Sequence, residues 1–546
     1  MPIRAQETSL PSSPNRERLW LALLLLGTAL LAFWSLGSLP LVDVDEPVYG
    51  QVGKEMVHSG QAGWLTPHYG GLPWFDKPPL FYWLTALSMR LFGVSEFAAR
   101  APSALLAVGL VAVTYVLARR AYPQTPRAAL WAGFALATSV QFFLLARAAV
   151  TDMTLAFTLT SALLALYTWT QVNQARWIVL AGVMTGLAAL TKGPVALVLI
   201  GVQTIAFLCL TRQAKRLLSP ALWGGFALCL LVGLPWFLLM IHLHGKLFID
   251  GFLEANNVTR YLQAEHKETS NATYFFKFFP ALFWPWALLL PSLLISAILR
   301  KRVSGPTLFL LLWSVLVFGF FSASQTKLIT YIFPMYSSVA ILLGRWLSEQ
   351  VEKQKSRSAS LAETLLLFVP LWLYAALAVV LAVVLNIAGK QFGITVGTLL
   401  QWDFTLGGSA VAIIAFRRHS GVWLVPGTAM ALFLLITWCS PTWKIREADV
   451  SERKMAVFAA LTTPPDGVIH ALGFKHPSLR YYSDQPVIYT DDHAAAALNI
   501  KQHPGVVYAM RTSDEDELRE KYGVGNLEEL WRYGRTVLVR ATPRKP

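Results

Sequence analysis

Apolar runs, most of them close to the ~20 residues that cross a bilayer, dominate this chain and leave few fold classes open. They lie near 19–39, 98–118, 128–147, 152–170, 176–192, 194–210, 220–243, 280–299, 306–322, 328–344, 362–388, 402–416 and 420–440. Segments of this kind satisfy their backbone polar groups internally, which predicts helices. Composition agrees. Of the 546 residues, 55% are hydrophobic and 14% charged, against ~45–50% and ~25% in soluble chains. Disorder, collagen and disulfide scaffolds are thereby excluded. Cys209, Cys229 and Cys439 sit inside apolar runs and are expected as free thiols. A net charge of +15 would suggest nucleic acid in a soluble protein. Here the basic residues punctuate the ends of apolar runs, so no nucleic-acid partner is expected.

Charge also sets the threading. The stretch 79–93, PLFYWLTALSMRLFG, is too short to span and is read as an interfacial amphipathic helix. With thirteen spans and a cytoplasmic start, the clusters Arg119/Arg120/Arg127, Arg212/Lys215/Arg216, Arg300/Lys301/Arg302 and Arg417/Arg418 all fall inside. That is the distribution short cytoplasmic loops require. The reading is an α-helical polytopic membrane protein of about thirteen transmembrane helices in residues 1–443. Its outer loops are about 40–97 and 244–279, and a small α/β domain at 444–546 lies on the same outer side. Within that tail, 514–532 (DEDELREKYGVGNLEELWR) is expected as one or two charged helices.

Candidate chemistry gathers at the outer ends of the spans. DVDEPVYG supplies Asp43, Asp45 and Glu46; a helix start with favourable dipole explains such acids as well as a general base or metal ligand does. Lys54, further along, is read as exposed. WFDKPP holds Asp76 and Lys77 before two prolines that stiffen the backbone, which aims Lys77 at headgroup level. Arg147, Asp152, Lys192, Arg260, His266, Lys327 and Tyr331 follow at later outer turns. Each is individually more often structural. Acids and bases converging on one face, however, read as a site, because ionisable groups near a membrane are costly. Sites in transporters tend to lie at mid-depth on paired broken helices, which ranks a lipid or sugar flippase second.

These motifs resemble those of the protein O-mannosyltransferase superfamily (GT-C type), and within it the lipid A aminoarabinose transferases. The likeness rests on Asp45-Glu46, Phe75-Asp76-Lys77-Pro78, Arg147…Thr151-Asp152, Leu190-Thr191-Lys192-Gly193-Pro194, Arg260-Tyr261 with His266, Thr326-Lys327-Leu328…Tyr331, and HPSLRYYSDQPV in the tail. It implies an inverting glycosyltransferase of the bacterial inner membrane, working at the periplasmic face. The donor would be a polyprenyl-phosphate sugar and the acceptor lipid A or a protein, with membrane lipids as surroundings. By the same resemblance Asp45, with Glu46 and Asp152, is catalytic. Lys77, Arg260, Tyr331, Lys192 and Lys327 bind the donor phosphate, and Asp152 orients Lys77. A divalent metal would fall to Asp76 and His266. One departure is Val48, where aminoarabinose transferases usually carry arginine two positions after the glutamate. No glycine-rich nucleotide fingerprint occurs, so no nucleotide cofactor is expected.

Overall fold

The computed structural model describes residues 14–263, 270–299, 303–355, 360–365, scattered positions between 369 and 383, and 444–543. Five helices in it are long and apolar enough to cross a membrane: Glu96–Ala121, Asp152–Val172, Ala175–Lys192, Pro220–His244 and Gly305–Ala323. Pro14–Phe33 is also helical but carries Arg16, Glu17 and Arg18, and Pro194–Leu210 is 17 residues long. The expected runs at 402–416 and 420–440, and most of 362–388, lie outside the described residues. Asp152–Val172 is buried along nearly its whole length and forms the centre of the bundle. Pro220–His244 lies at the periphery and exposes Trp223, Phe226, Leu231, Leu238 and Leu243, as a lipid-facing helix would.

Small residues set the packing between Ala175–Lys192 and Pro220–His244. A Cβ on Gly182 would clash with the Gly225 carbonyl oxygen, and one on Gly186 would lie 2.8 Å from Val232. Helices in lipid gain contact by this kind of close backbone approach.

Two expected spans are broken. The run at 128–147 folds as Arg127–Ala137 and Val140–Ala146, bent by 67°, and Tyr274–Leu282 meets Trp286–Leu299 at 111°. The breaks satisfy each other. Val140 N donates to the Trp284 carbonyl (3.3 Å), and the Trp286 indole donates to the Thr138 hydroxyl (2.9 Å). Polar backbone freed at a kink is thus re-paired inside protein. The run expected at 328–344 begins its helix later, at Tyr336, because Pro334 opens a short 3-10 turn first.

The first loop folds into a helix at Asp45–His58, a short helix at Gly60–Leu65 and a hairpin of β1 (His68–Tyr69) and β2 (Leu72–Pro73). The Leu80–Phe92 helix follows. At 13 residues it is about 20 Å long at ~1.5 Å per residue, short of the hydrocarbon core. Phe81, Tyr82, Ala86 and Met89 are buried against Tyr49, Val52 and Met56 of the Asp45–His58 helix.

The tail forms a five-stranded sheet in the order β4-β3-β5-β7-β6, made of β3 (Ile469–Leu472), β4 (Val487–Thr490), β5 (Val507–Arg511), β6 (Leu527–Tyr533) and β7 (Thr536–Ala541). β3 pairs parallel with β4 and β5, and β7 pairs antiparallel with β5 and β6. Alternate residues bury both faces. Ile469, Ala471, Val507 and Leu538 pack on the Lys444–Thr462 helix, while Leu472, Tyr508, Val537 and Val539 pack on His493–Gln502 and Thr512–Glu520. The expectation of helix through 514–532 is corrected. Helix ends at Glu520 and 527–533 is an edge strand, since pairing with β7 outweighs the local helical preference of LEELWR.

Candidate active site

The Asp45–His58 helix begins with two adjacent acids whose side chains point about 100° apart, as helical geometry requires. Their environments differ completely. Glu46 is buried and its carboxylate is fully engaged: Arg100 Nε and Nη2 donate to it at 2.9 and 2.7 Å, and the amides of Ala149 and Val42 at 2.6 and 2.8 Å. Arg100 is itself buried and also donates to the carbonyls of Leu36, Leu39 and Pro40. Glu46 therefore ties the loop to the Glu96–Ala121 helix and has no free oxygen for the catalytic share expected of it.

Asp45 faces the other way, into a cluster of charge. Burial raises its carboxyl above the usual range, Asp152 and Asp76 push in the same direction, and Lys77 and Arg260 oppose them. The cluster is assembled from the ends of several elements. Asp76 and Lys77 sit between β2 and the Leu80–Phe92 helix. Asp152 opens its helix where the dipole favours an acid, and Lys192 closes Ala175–Lys192 where it favours a cation. Arg260 ends a π-helical segment, Ile249–Thr259. Segments of that type recur at functional sites.

Two ion pairs organise these groups. Lys77 Nζ donates to Asp76 Oδ1 at 2.9 Å, with Arg260 Nη1 3.9 Å from the same oxygen. Lys192 Nζ donates to Asp152 Oδ1 at 2.7 Å and lies 5.1 Å from the centre of the Tyr331 ring. Asp152 thus pairs with Lys192, which corrects the expectation that it orients Lys77. The three cations repel. Burial lowers the Lys77 ammonium from its ordinary value, Asp76 restores part of it, and Arg260 and Lys192 lower it further. The three cations are matched in number by Asp45, Asp76 and Asp152, but Lys77 and Arg260 share one carboxylate oxygen of Asp76, and that side of the cluster suits an anion.

The second long loop closes over this arrangement. Asn256 Nδ2 donates to the Gly251 carbonyl (2.8 Å) and reaches the Phe75 carbonyl at 3.5 Å. Gly193 has φ +77°, and a Cβ there would lie 2.8 Å from the Phe252 ring. Any side chain would hold the π-helical segment off the turn that carries Lys192.

The remaining candidates separate. Lys327 is buried and donates to the main-chain carbonyls of Ser270 and Ser324, so its charge is spent on backbone. Arg147 donates to the carbonyls of Leu31 and Ala32 at the end of the first helix. Lys54 is not exposed: it pairs with Asp484 at 2.5 Å and donates to the Tyr481 carbonyl. His266 lies outside the described residues. Asp76 does not fit a metal here, because its Oδ1 is already held by Lys77 with Arg260 close by, and a divalent ion would meet two cations.

Sequence reasoning missed two tyrosines. Tyr49 and Tyr82 are buried with ring centres 5.6 Å apart, and both phenols lie within electrostatic reach of Asp45 and Asp76. The signal for Tyr49 was its position one helical turn after Asp45. It missed a further group as well. Asp43, Glu452 and His476 bring ligand-type atoms within 4.8 Å of one another.

Residues 76–238 match the family model of dolichyl-phosphate-mannose-protein mannosyltransferases. Undecaprenyl phosphate-α-4-amino-4-deoxy-L-arabinose arabinosyl transferase 2 of Pseudomonas fluorescens is 30% identical over 430 residues, which cover 77% of this chain and 71% of that one. The chain belongs to this arabinosyl transferase family. Another member, arabinosyl transferase 1 of a second P. fluorescens strain, is 32% identical over 348 residues, and the match spans 58% of its length. The fold is similar to that of a solved structure, ArnT from Cupriavidus metallidurans bound to undecaprenyl phosphate. That structure superimposes with a TM-score of 0.77 at 23% identity, covering 97% of this chain and 99% of the other. As an arabinosyl transferase family member with these apolar helices, the chain is a multi-pass membrane protein.

Proposed function

We propose that the chain transfers a sugar from a polyprenyl-phosphate donor to a lipid acceptor, with 4-amino-4-deoxy-L-arabinose as the sugar and lipid A as the acceptor. The observation that carries the reading is the cluster of partly buried Lys77, Lys192 and Arg260 around Asp45, at the ends of apolar helices. Relatives named for undecaprenyl phosphate-linked aminoarabinose support the choice of donor and sugar. The setting follows from it: the inner membrane, with residues 1–443 holding the site on the periplasmic side and 444–546 on that side too.

The chemistry needs this arrangement. The C–O bond from the anomeric carbon to the donor phosphate breaks, its electron pair goes to the phosphate, and negative charge grows on the phosphoryl oxygens. Fixed cations already in place stabilise that charge without reorganising. Lys77 and Arg260 take this role, Arg260 bidentately and Lys77 as a point charge, while Lys192 and Tyr331 line the approach. An acceptor oxygen attacks the opposite face of the sugar, which inverts the anomeric centre. A lipid A phosphate is already anionic and needs no deprotonation. Asp45 then stabilises the oxocarbenium-like carbon; with a hydroxyl acceptor it would also take the proton. Glu46 acts through Asp45, by fixing the helix on which Asp45 sits. Asp152 positions Lys192.

Asp45→Asn keeps the shape and removes the charge. In membranes given undecaprenyl phosphate-linked aminoarabinose and lipid A, it should abolish transfer while the protein remains folded. Wild-type rates in that variant would overturn the site. Transport of the lipid-linked sugar with no covalent product from the wild-type protein would overturn the reaction.

A further inference from the structure

Asp43 lies two residues before Asp45, at the entrance to the same helix. Its side chain is 8% exposed. Oδ1 accepts from the Ser478 amide at 2.9 Å, which fixes the carboxylate plane. Oδ2 is buried, accepts no hydrogen bond, and faces His476 Nδ1 at 3.5 Å. On its other side His476 Nδ1 is 3.1 Å from Glu452 Oε1. Three residues, from the first loop and from two segments of the tail, thus bring an imidazole nitrogen and two carboxylate oxygens within 4.8 Å of one another.

We propose that Asp43, Glu452 and His476 bind a zinc-class divalent cation, which staples the C-terminal sheet domain to the loop that enters the Asp45 helix. The spacing fits. Zinc bonds of ~2.0–2.1 Å in a tetrahedron put ligand atoms roughly 3.3–3.4 Å apart; the two distances from His476 Nδ1, 3.1 and 3.5 Å, bracket that value, and the two carboxylates come within 4.8 Å of each other. Small shifts of partly exposed side chains suffice, because Glu452 is 22% and His476 28% exposed. The same exposure leaves room for water as a fourth ligand. The donor set selects the metal. Calcium and magnesium prefer oxygen throughout, whereas a neutral imidazole with two carboxylates suits zinc and its neighbours.

The surroundings hold the ligands as outer partners of metal sites do. Beyond the Ser478 amide on Asp43, the His476 ring stacks on Phe474 with centroids 3.9 Å apart. The His476 carbonyl accepts from the Tyr489 hydroxyl at 3.1 Å and from the Leu479 amide at 3.1 Å. Two carboxylates and a dication leave the site neutral, so closing the interface around it buries no net charge.

This assignment stands apart from the glycosyl-transfer reading, and its test reads metal, not sugar. Full-length protein in detergent, stripped of metal, is titrated with Zn²⁺ against a chromophoric chelator. One tight equivalent is expected, with a rise in thermal midpoint on adding Zn²⁺. His476→Ala and Glu452→Gln should each weaken that equivalent by at least roughly 10- to 100-fold, the range seen even for outer-shell changes. His266→Ala should retain it. So should His493→Ala, which removes a histidine paired with Asp514 elsewhere in the same domain. If His476→Ala fails to fold, Glu452→Gln carries the comparison, and zinc-edge absorption of the wild-type protein should report one imidazole among oxygen neighbours. No zinc uptake by the wild type, or uptake unchanged in both ligand variants, overturns the proposal and leaves an imidazolium bridging two carboxylates.

Discussion

Adjacent carboxylates at positions 45 and 46 offer a sharp test, because the structure ties Glu46 into the fold and the proposed reaction assigns Asp45 to chemistry. Glu46→Gln leaves a buried arginine without its counter-charge and turns an amide NH₂ toward donors. Removing one partner of a buried ion pair costs roughly 3–5 kcal/mol. The full network suggests the upper part of that range, since the Val42 and Ala149 amides also depend on the Glu46 oxygens. A double variant, Glu46→Leu with Arg100→Met, separates charge from network. If only the ion pair mattered, an apolar replacement of similar volume would restore stability. Here it should not, because the carbonyls of Leu36, Leu39 and Pro40 would lose the donor they share. Asp45→Asn should behave oppositely. Its folded carboxyl titrates above the unfolded value, so the ionised form is disfavoured in the native state at neutral pH. The asparagine variant should unfold at the same temperature as wild type or higher. The assay is thermal unfolding of detergent-purified protein, followed by loss of the monodisperse peak. Equal midpoints for Glu46→Gln and Asp45→Asn would refute the division of labour.

Lys77→Ala should reduce donor use about 10- to 150-fold, from the ~1.5–3 kcal/mol of a hydrogen bond to a charged group. Lys77→Arg should recover only part of it, and Arg90→Ala, an exposed cation on the neighbouring helix, should change little, as measured by kcat/KM for the lipid-linked donor. The acid limb of the pH–rate profile should lie above that of an ordinary aspartate, because activity needs Asp45 ionised and its carboxyl is raised. It should shift toward more acidic pH in Asp152→Asn, which removes one of the charges that raise it, provided that variant retains measurable transfer.

How much of this was legible in the sequence depended on range. Apolar runs revealed the helices because length and hydropathy are local properties. The polar residues at their ends pointed to Asp45, Asp76, Lys77, Asp152, Lys192 and Arg260, which the structure gathers into one cluster, because placing charge beside lipid demands a reason. Pairing was not legible. Asp152 with Lys192 in place of Lys77, or Glu46 with Arg100, depends on how helices distant in the chain rotate against one another. Nor was the break after Ala137, since the partners that repair it, Trp284 and Trp286, lie well over a hundred residues later. Lys54 was misread for the same reason: its counter-ion, Asp484, belongs to the tail.

That last contact is one of a set that bears on what the tail does. The Tyr482 hydroxyl accepts from the Leu41 amide at 2.7 Å and reaches Glu96 at 3.2 Å, Asp43 takes the Ser478 amide, and Arg453 pairs with Glu96 at 3.0 Å. Arg480 lies against Tyr69 of the hairpin, at 5.4 Å from the ring centre. In sequence these anchors bracket Asp45, at positions 41 and 43 before it and at 54 and 69 after it. A helix start at a membrane surface is held by few contacts of its own and would otherwise fray. Clamping both sides of it fixes the direction of the Asp45 side chain, and a misplacement of about 1 Å can cost of order 100-fold in rate. The sheet domain is therefore placed to brace the loop from outside, while Glu46 and Arg100 brace it from within.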